Sequence, residues 1–281
     1  MDPAPAGSPV LPAFASAGGG LVPLDPFGIG VTGPGVRGCR AAGFHDFDFW
    51  LGRWIITQPD GTPGGVSAIT RELSGCAVME TYQGGGGRSL NVHDALRDRW
   101  TQTYIDGGGL LLRLAGGIDG GAMVMSDEVR TTPTGLELTS QITWTPAADG
   151  SVRQVWLLST DGGESYNLNF DGTYRPGSFE PPAVGESVMC HQTQPAFRAA
   201  DFLLGSWTVE TERGLHLGRA ELRSTAGGCL IEEDFTGPLG YAARAFIAYD
   251  RVTRTWYRTH GDTTGLVHEL AGAVVGTEAT L

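Results

Sequence analysis

Glu80 is the residue whose type and setting best suit acid–base chemistry. It lies in the segment GCAVMETY, residues 75–82, and shares one face of a β-strand with three alternate residues: Cys76, Val78 and Tyr82. Because this face is otherwise apolar or aromatic, we expect it to point inward. Burial raises the pKa of a carboxyl group, and a carboxyl group that titrates near neutral pH can both donate and accept a proton.

An arginine partner would cancel that rise in pKa. Three arginines in the same half of the chain are candidates: Arg71, Arg113 and Arg153. With such a partner, or with a tryptophan, Glu80 would be a structural latch near the mouth of a barrel. Both interpretations of Glu80 stay open at this point.

The strand expected over 99–106 carries the second candidate group. Trp100 shares a face with Gln102 and Tyr104, which we expect to line an interior, with Tyr104 as a further catalytic residue if the protein is an enzyme. A polar barrel end open to water is the alternative. Four more residues complete the expected ligand-binding wall of this half: Tyr82, Trp144, Gln154 and Trp156.

The second half of the chain carries equivalent residues. Glu233 lies in GCLIEED, residues 228–234, and Trp256 shares a face with Arg258 and His260. The tryptophan is retained whereas the polar residues beside it differ. We therefore expect Glu233, Arg258 and His260 to line a second interior.

His93 is a candidate general base, since an unperturbed histidine titrates at about 6.5. Asp94 follows it at an expected turn, and Tyr249 replaces it in the second half. A surface or hydrogen-bonding role for His93 is therefore expected.

An internal repeat positions these residues. The segment 48–83 matches 201–236 without gaps at a shift of 153, so that Asp48 corresponds to Asp201 and Glu80 to Glu233. Three extra residues then change the shift to 156, and the match continues to the end of the chain. A repeat of this length indicates two copies of one structural unit.

Each copy consists of short apolar runs separated by Gly, Asp and Pro, which indicates strands joined by tight turns. Ten strands are expected in the first copy: 53–58, 66–73, 76–83, 88–94, 99–106, 110–115, 122–128, 136–145, 152–160 and 165–174. Only the first seven have counterparts in the second copy. Closure into a barrel removes exposed edges, so the predicted fold is all-β, with two tandem antiparallel up-and-down barrels, the second incomplete.

A short helical plug is expected before each barrel. In FHDFDFWLGRW, residues 44–54, Asp48 could cap one helical turn and Gly52 could end it. The echo ADFLLGSW, residues 200–207, keeps the framework residues. The predicted domains are a disordered tail (1–43), a complete barrel (44–176), a linker (177–198) and a partial barrel (199–281).

These motifs resemble those of the calycin-like family of small bacterial β-barrels, related in shape to lipocalins and fatty-acid-binding proteins. The resemblance rests on a helical turn with a Leu-Gly-x-Trp motif, a Gly-Cys strand that ends in Glu, and the later Tyr-Asp and Asp-Gly-Gly motifs. It covers 45–175 well and 200–281 in part. It implies a barrel with an interior for a small ligand. The chain departs from the pattern at His93, where Tyr249 is the usual type, and in the missing closing strands of the second copy.

Charge and composition exclude several other classes. The formal net charge of -12, spread along the chain without acidic blocks, argues against nucleic acid or an anionic membrane as a partner. All 19 basic residues are arginines, so lysine Schiff-base chemistry is excluded. The histidines lack metal-ligand spacing, and no metal or other cofactor is expected. The four cysteines are far apart and form no CxxC pair, which suggests reduced thiols and a cytoplasmic protein.

Three functions fit these features. The first is binding of a small, mostly apolar molecule inside the first barrel. The second is an enzyme that uses the same interior to cyclise, isomerise or hydrate a substrate, with Glu80 as acid or base, since orientation alone can accelerate such reactions. The third is a structural or interaction protein whose barrels are filled with side chains. A homodimer that covers the incomplete second barrel is a further expectation.

Overall fold

The structure is a computed structural model. It describes residues 10–12, 39–83, 86–179, 190, 194–211, 213–276 and 278–280. Most of the tail expected over 1–43, and much of the linker expected over 177–198, lie outside the described residues. Among the described residues, no helix is both long and apolar enough to cross a membrane.

The first copy forms a closed antiparallel barrel of ten strands. Strand β1 (Val10–Pro12) belongs to the second sheet, and the next strands belong to the barrel: β2 (Gly52–Thr57), β3 (Pro63–Glu72), β4 (Ala77–Tyr82), β5 (Gly87–Asp94), β6 (Arg99–Ile105), β7 (Leu111–Asp119), β8 (Ala122–Asp127), the two-residue β9 (Arg130–Thr131), β10 (Glu137–Pro146), β11 (Val152–Ser159) and β12 (Asn167–Pro176). Strand β10 pairs with both β8 and β11, and β12 pairs with β2, which closes the ring. Strand β9 pairs only with the start of β10. The ten expected strands are confirmed, with ends within four residues of those expected.

The aromatic segment before β2 plugs one end of the barrel. It forms two short 3-10 helices, Ala42–His45 and Asp48–Trp50. Phe47 lies between the two helices and Trp50 ends the second. Both residues are fully buried, and their rings stack with centroids 4.8 Å apart. The indole of Trp54 donates a hydrogen bond to the Trp50 carbonyl at 2.9 Å, which ties the plug to the first strand.

The capping role expected for Asp48 is wrong. Asp48 occupies the first position of the second 3-10 helix, and Phe47 at the N-cap makes no side-chain capping bond. The Asp48 carboxylate instead contacts His45 at 2.8 Å and the guanidinium of Arg71.

The second copy forms a curled half-barrel sheet. Its strands are β13 (Gly205–Glu210), β14 (His216–Thr225), β15 (Leu230–Thr236), β16 (Ala242–Asp250), β17 (Thr255–Asp262), β18 (Val267–Val275) and β19 (Glu278–Thr280). Strand β1 joins its first edge and pairs in parallel with β13 over three residues. The second sheet thus gains an edge strand from the segment 1–43, where a disordered tail was expected. The expected homodimer stays a prediction.

The two units pack through their outer faces. Apolar side chains from both copies form one buried cluster there, including Leu90, Ile105, Leu230 and Phe246. At its centre, Thr103 and Thr259 lie with their hydroxyl oxygens 2.7 Å apart. Burial of this shared apolar surface stabilises the association of the two units and forms a cluster separate from the first barrel's interior core.

The contacts around this centre are reciprocal. A Cβ atom at Gly109 would lie 2.7 Å from the ring of Phe197 in the second copy. A Cβ atom at Gly265, the counterpart of Gly109, would lie 2.7 Å from the ring of Phe44 in the first copy. Phe44 and Phe197 correspond in the repeat, so an approximate two-fold axis relates the copies, as in an isologous dimer.

The expectation of reduced cysteines is wrong, because the four cysteines form two disulfides. Cys39 is bonded to Cys76, and Cys190 is bonded to Cys229, with Cα–Cα distances of 4.9 and 5.1 Å. Each bond ties the segment before a plug to the Gly-Cys turn of the same copy. All four residues are buried, so the pairing rests on proximity in the fold, which spacing along the chain does not reveal.

Candidate functional site

Strand β4 carries Glu80 into the interior of the first barrel. The neighbours of Glu80 on this strand, Met79 and Thr81, face outward, whereas Val78 belongs to the interior cluster and Tyr82 packs against it. Glu80 is 5% exposed. Val78, Glu80 and Tyr82 therefore face inward as expected, whereas Cys76 precedes the strand and packs in a separate cluster with Cys39 and Phe44.

Two hydroxyl groups hold the Glu80 carboxyl. Ser67 on β3 donates a hydrogen bond to Oε1 at 2.8 Å, and Ser89 on β5 donates to Oε2 at 3.2 Å. Burial raises the pKa of Glu80 from 4.5 to about 7, since these two bonds and the more distant charge of Arg88 only partly offset the cost of desolvation. At neutral pH, Glu80 is therefore present in both protonation states.

None of the three candidate arginines pairs with Glu80. Arg113 faces outward, contacts Glu269 at 3.2 Å and lies over the ring of Tyr257. Arg153 also faces outward and forms a bidentate pair with Asp171. Arg71 lies at the plug end, where it binds Asp48 and donates hydrogen bonds to the carbonyls of Phe44 and Gly75.

A chain of buried amides extends from Ser89 across the barrel wall. The side chain of Asn91 donates to Ser89 Oγ at 3.0 Å and to the Val78 carbonyl at 2.9 Å. The amide of Gln102 in turn donates to Asn91 Oδ1 at 2.6 Å. Gln102 is inside the barrel as expected, but it acts here through Asn91 and Ser89 to position Glu80.

Four aromatic rings surround the mouth opposite the plug. They come from β4, β6, β11 and β12 and are half-buried: Tyr82, Tyr104, Trp156 and Phe170. Burial raises the pKa of Tyr104 well above 10, and the charges of Asp106 and Glu80 raise it further. Tyr104 is therefore a neutral phenol at physiological pH, and its partly exposed position lets a molecule at the mouth reach it.

Three indoles lack hydrogen-bond partners for their buried N–H groups among the described residues: Trp50 in the plug, and Trp144 and Trp156 on the barrel wall. Trp144 is 1% exposed, and neither its Nε1 nor the buried Nε1 of Trp156 has a hydrogen-bond partner among the described residues. An unpaired buried donor costs about 1–3 kcal/mol. By contrast, Trp54 and Trp100 donate to backbone carbonyls of the plug. Trp144 packs against the plug residues Phe47 at 5.3 Å and Trp50 at 5.5 Å, so the half-buried Trp156 is the indole that offers a free donor to a molecule at the mouth.

Gln154 lies on the same wall. It accepts a hydrogen bond from the phenol of Tyr174 at 2.6 Å, which supports the expected inward direction of Gln154 and Trp156 on β11. Burial raises the pKa of Tyr174 well above 10, and Glu80 contributes further to the rise. The expected site residues of the first barrel all face its interior, but Trp100 and Trp144 pack against the plug residue Phe47 and not at the aromatic mouth, and the roles of all these residues stay predictions.

The second copy arranges its equivalent residues differently. Glu233 accepts two hydrogen bonds from Arg258, at 2.9 and 3.1 Å, and Arg258 contacts His260 at 3.3 Å. Desolvation, Arg258 and His268 lower the pKa of His260 well below 6.5. Glu233 therefore forms an ion pair with an arginine of its own copy, whereas its counterpart Glu80 forms none among the described residues.

Of the two roles expected for His93, surface or hydrogen-bonding, the surface role is wrong, whereas its Nε2 does lie 3.4 Å from a carboxylate oxygen of Asp98. His93 is 5% exposed and packs edge-on against Phe44 at 4.9 Å and Trp100 at 5.7 Å. It therefore helps to seal the plug end, away from Glu80. Its place on the same face as Trp100 explains its burial, because strand β5 pairs it directly with that tryptophan.

The sequence analysis does not identify three residues of the site: Ser67, Ser89 and Asn91. Serine and asparagine are common in turns, so these positions do not stand out in a chain with many turns. Alternation along the strands is the signal that could have found them, because Ser89 and Asn91 are an even number of residues apart and pair with Glu80 and Val78.

No group of three or more His, Cys, Asp or Glu side chains suited to a metal ion occurs within the described part of the chain. The arrangement around Glu80 can instead bind a ligand through charge, hydrogen bonds and aromatic contact, or move a proton.

The chain was compared with protein families and with curated proteins. No family model matches it, and no curated protein matches its sequence.

Proposed function

We propose that the first barrel, of calycin-like architecture, binds a small, mostly apolar molecule at the mouth opposite the plug. The observation that carries this proposal is the unpaired indole N–H of Trp156 beside the half-buried rings of Tyr82, Tyr104 and Phe170. A ligand with an apolar body and one acceptor atom would satisfy this donor and cover the rings.

The environment of Glu80 supports the same proposal. A carboxyl group buried at 5% exposure without an arginine partner destabilises the fold when it is charged. Such a cost persists where the group serves a ligand or a reaction. A barrel that served only as a scaffold would be more stable with an apolar residue at this position.

A fluorescence titration tests the proposal. N-Phenyl-1-naphthylamine is neutral at pH 7 and fluoresces strongly in an apolar environment, so binding should be saturable with one site per chain. Trp156→Ala should weaken binding at least about fivefold, because the indole contributes a large contact area. Val155→Ala, on the adjacent outward face of β11, is the matched control and should leave affinity unchanged. Absence of saturable binding to the wild type would contradict the proposal.

Proton transfer is a second candidate function, favoured by the pKa of Glu80 near 7 beside the neutral phenol of Tyr104. Elimination of 5-nitrobenzisoxazole, in which a base removes one carbon-bound proton as the N–O bond breaks, is a suitable probe. The rate should rise with pH through an apparent pKa of about 7 and should fall to the background rate in Glu80→Gln. Equal rates in the variant and the wild type would exclude Glu80 as the base.

The disulfides bear on where the protein works. Paired structural cysteines are rare in reducing compartments. Because both copies contain one buried disulfide, we infer that the chain folds in an oxidising compartment, in place of the cytoplasm expected from cysteine spacing.

A further inference from the structure

The two copies differ in how they neutralise the same buried carboxylate. Glu80 and Glu233 occupy equivalent positions, and Arg258 stands where the first copy has Gln102. Arg258 lies 2.9 Å from Glu233. In the first barrel the same place holds an uncharged amide that is bonded to Asn91, so the negative charge of Glu80 has no cation opposite it.

The arginine next to Glu80 along the sheet cannot supply that cation. Arg88 faces outward and forms a two-point pair with Glu232 of the second copy, at 2.6 and 3.0 Å. Its side chain is mostly buried in this pair. Among the described residues, no arginine forms an ion pair with Glu80.

The mouth that leads to Glu80 is built from aromatic faces. Tyr82 and Tyr104 lie on the strands next to Ser89, close enough for the charge of Glu80 to raise the pKa of both phenols. Trp156 and Phe170 form the facing wall. Aromatic faces attract cations, and they do so most strongly where water is excluded.

We propose that the ligand of the first barrel is a small lipophilic organic cation, such as a protonated amine. Its ammonium group pairs with Glu80, as the guanidinium of Arg258 pairs with Glu233 in the second copy, and its apolar body packs against the aromatic mouth. This inference rests on the proposed binding function and adds the charge of the ligand to it.

The pH dependence of binding has a defined sign. The titratable or charged groups that face Glu80 are the phenols of Tyr82, Tyr104 and Tyr174, with Arg88 acting from the outer face. Burial raises the pKa of all three phenols, so they stay neutral between pH 6 and 8. Glu80 alone changes charge in this range, and affinity for an amine should therefore increase from pH 6 to pH 8.

Three probes with one naphthalene body separate charge from shape: 1-naphthylmethylamine, 1-naphthylmethanol and 1-naphthaleneacetate. At pH 8 the wild type should bind the amine at least about tenfold more tightly than the alcohol, and the carboxylate most weakly. Glu80→Gln should remove the preference for the amine and leave affinity for the alcohol within about threefold. Glu128→Gln, an exposed carboxylate of the same barrel, is the control and should change neither.

A second variant gives the first barrel the carboxylate–arginine arrangement of the second copy. Gln102→Arg places a guanidinium opposite Glu80, as Arg258 is placed opposite Glu233, and should abolish the preference for the amine while the alcohol still binds. Affinity for the alcohol equal to or above that for the amine in the wild type would overturn the cation inference and leave the proposed function standing. An amine preference that survives in both Glu80→Gln and Gln102→Arg would also overturn it. Failure of all three probes to bind would overturn the inference and the proposed function together.

Discussion

Thr103 and Thr259 occupy equivalent positions in the two copies, and their side-chain oxygens form a buried hydrogen bond of 2.7 Å. A residue that contacts its own counterpart lies on a two-fold axis. The half-barrel therefore packs on the first barrel as one subunit packs on another in a symmetric dimer, although both units belong to one chain.

Substitution at this axis should show strong coupling. Thr259→Val leaves the buried hydroxyl of Thr103 without its partner and should lower the free energy of unfolding by about 1–3 kcal/mol. The double variant Thr103→Val, Thr259→Val removes both hydroxyls and should be less destabilised than the sum of the single variants by at least about 0.5 kcal/mol. Urea unfolding of the wild type, the two single variants and the double variant measures this coupling. Strictly additive losses of stability would show that the two hydroxyls do not contact each other.

Glu80 should make the fold less stable as pH rises. Its pKa is about 7 in the folded state and near 4.5 in the unfolded chain, so only the folded state keeps the proton between these values. The free energy of unfolding therefore falls as pH rises through this range, by up to about 3 kcal/mol.

Glu80→Gln isolates this effect from other titrating groups. The neutral variant should gain stability relative to the wild type between pH 4.5 and 8, as measured by urea unfolding at each pH. Marked destabilisation of the variant at every pH would instead identify Glu80 as a structural latch.

The ion pair between Arg88 and Glu232 should be important for the association of the two units. Glu232 is 2% exposed and binds the guanidinium at two points. Glu232→Gln leaves a buried arginine unpaired and should cost about 3–5 kcal/mol of stability. Glu221→Gln breaks the exposed contact with Arg223 and should cost less than about 1 kcal/mol. Equal, small losses in thermal unfolding would show that the interface does not depend on this pair.

The disulfides should stabilise each unit by restricting its unfolded chain. Cys39 and Cys76 are 37 residues apart, a loop length for which chain entropy predicts about 4 kcal/mol. The double variant Cys39→Ser, Cys76→Ser should therefore show a lower melting temperature, and reductant should no longer affect the first unit. Thiol titration of the denatured, non-reduced wild type should find no free thiol, and four free thiols would contradict the pairing.

The sequence pattern predicts the framework better than the site. Alternation of apolar residues and turn residues predicts the ten strands and the inward direction of Glu80, since a buried sheet face imposes that period. The tandem repeat predicts the half-barrel. Both features depend on neighbouring residues, which a sequence displays directly.

Features that depend on contacts between distant segments were missed. The bond between Cys190 and Cys229, the parallel pairing of β1 with β13, and the burial of His93 against the plug all join residues far apart in the chain. Ser67 and Ser89 were missed for a related reason. A serine shows no preference for an interior until a neighbouring strand places a carboxyl group beside it.

The seven tryptophans offer the most direct test of ligand binding in the first barrel. In a 15N-labelled sample each indole N–H gives one signal, and N-phenyl-1-naphthylamine should shift that of Trp156, whose N–H lacks a partner among the described residues. The signal of Trp207, whose N–H donates to the Leu203 carbonyl in the second copy, should stay in place. A saturable shift of the Trp156 signal is the predicted result, and shifts confined to Trp207 and Trp256, or no shifts at all, would contradict a binding site in the first barrel.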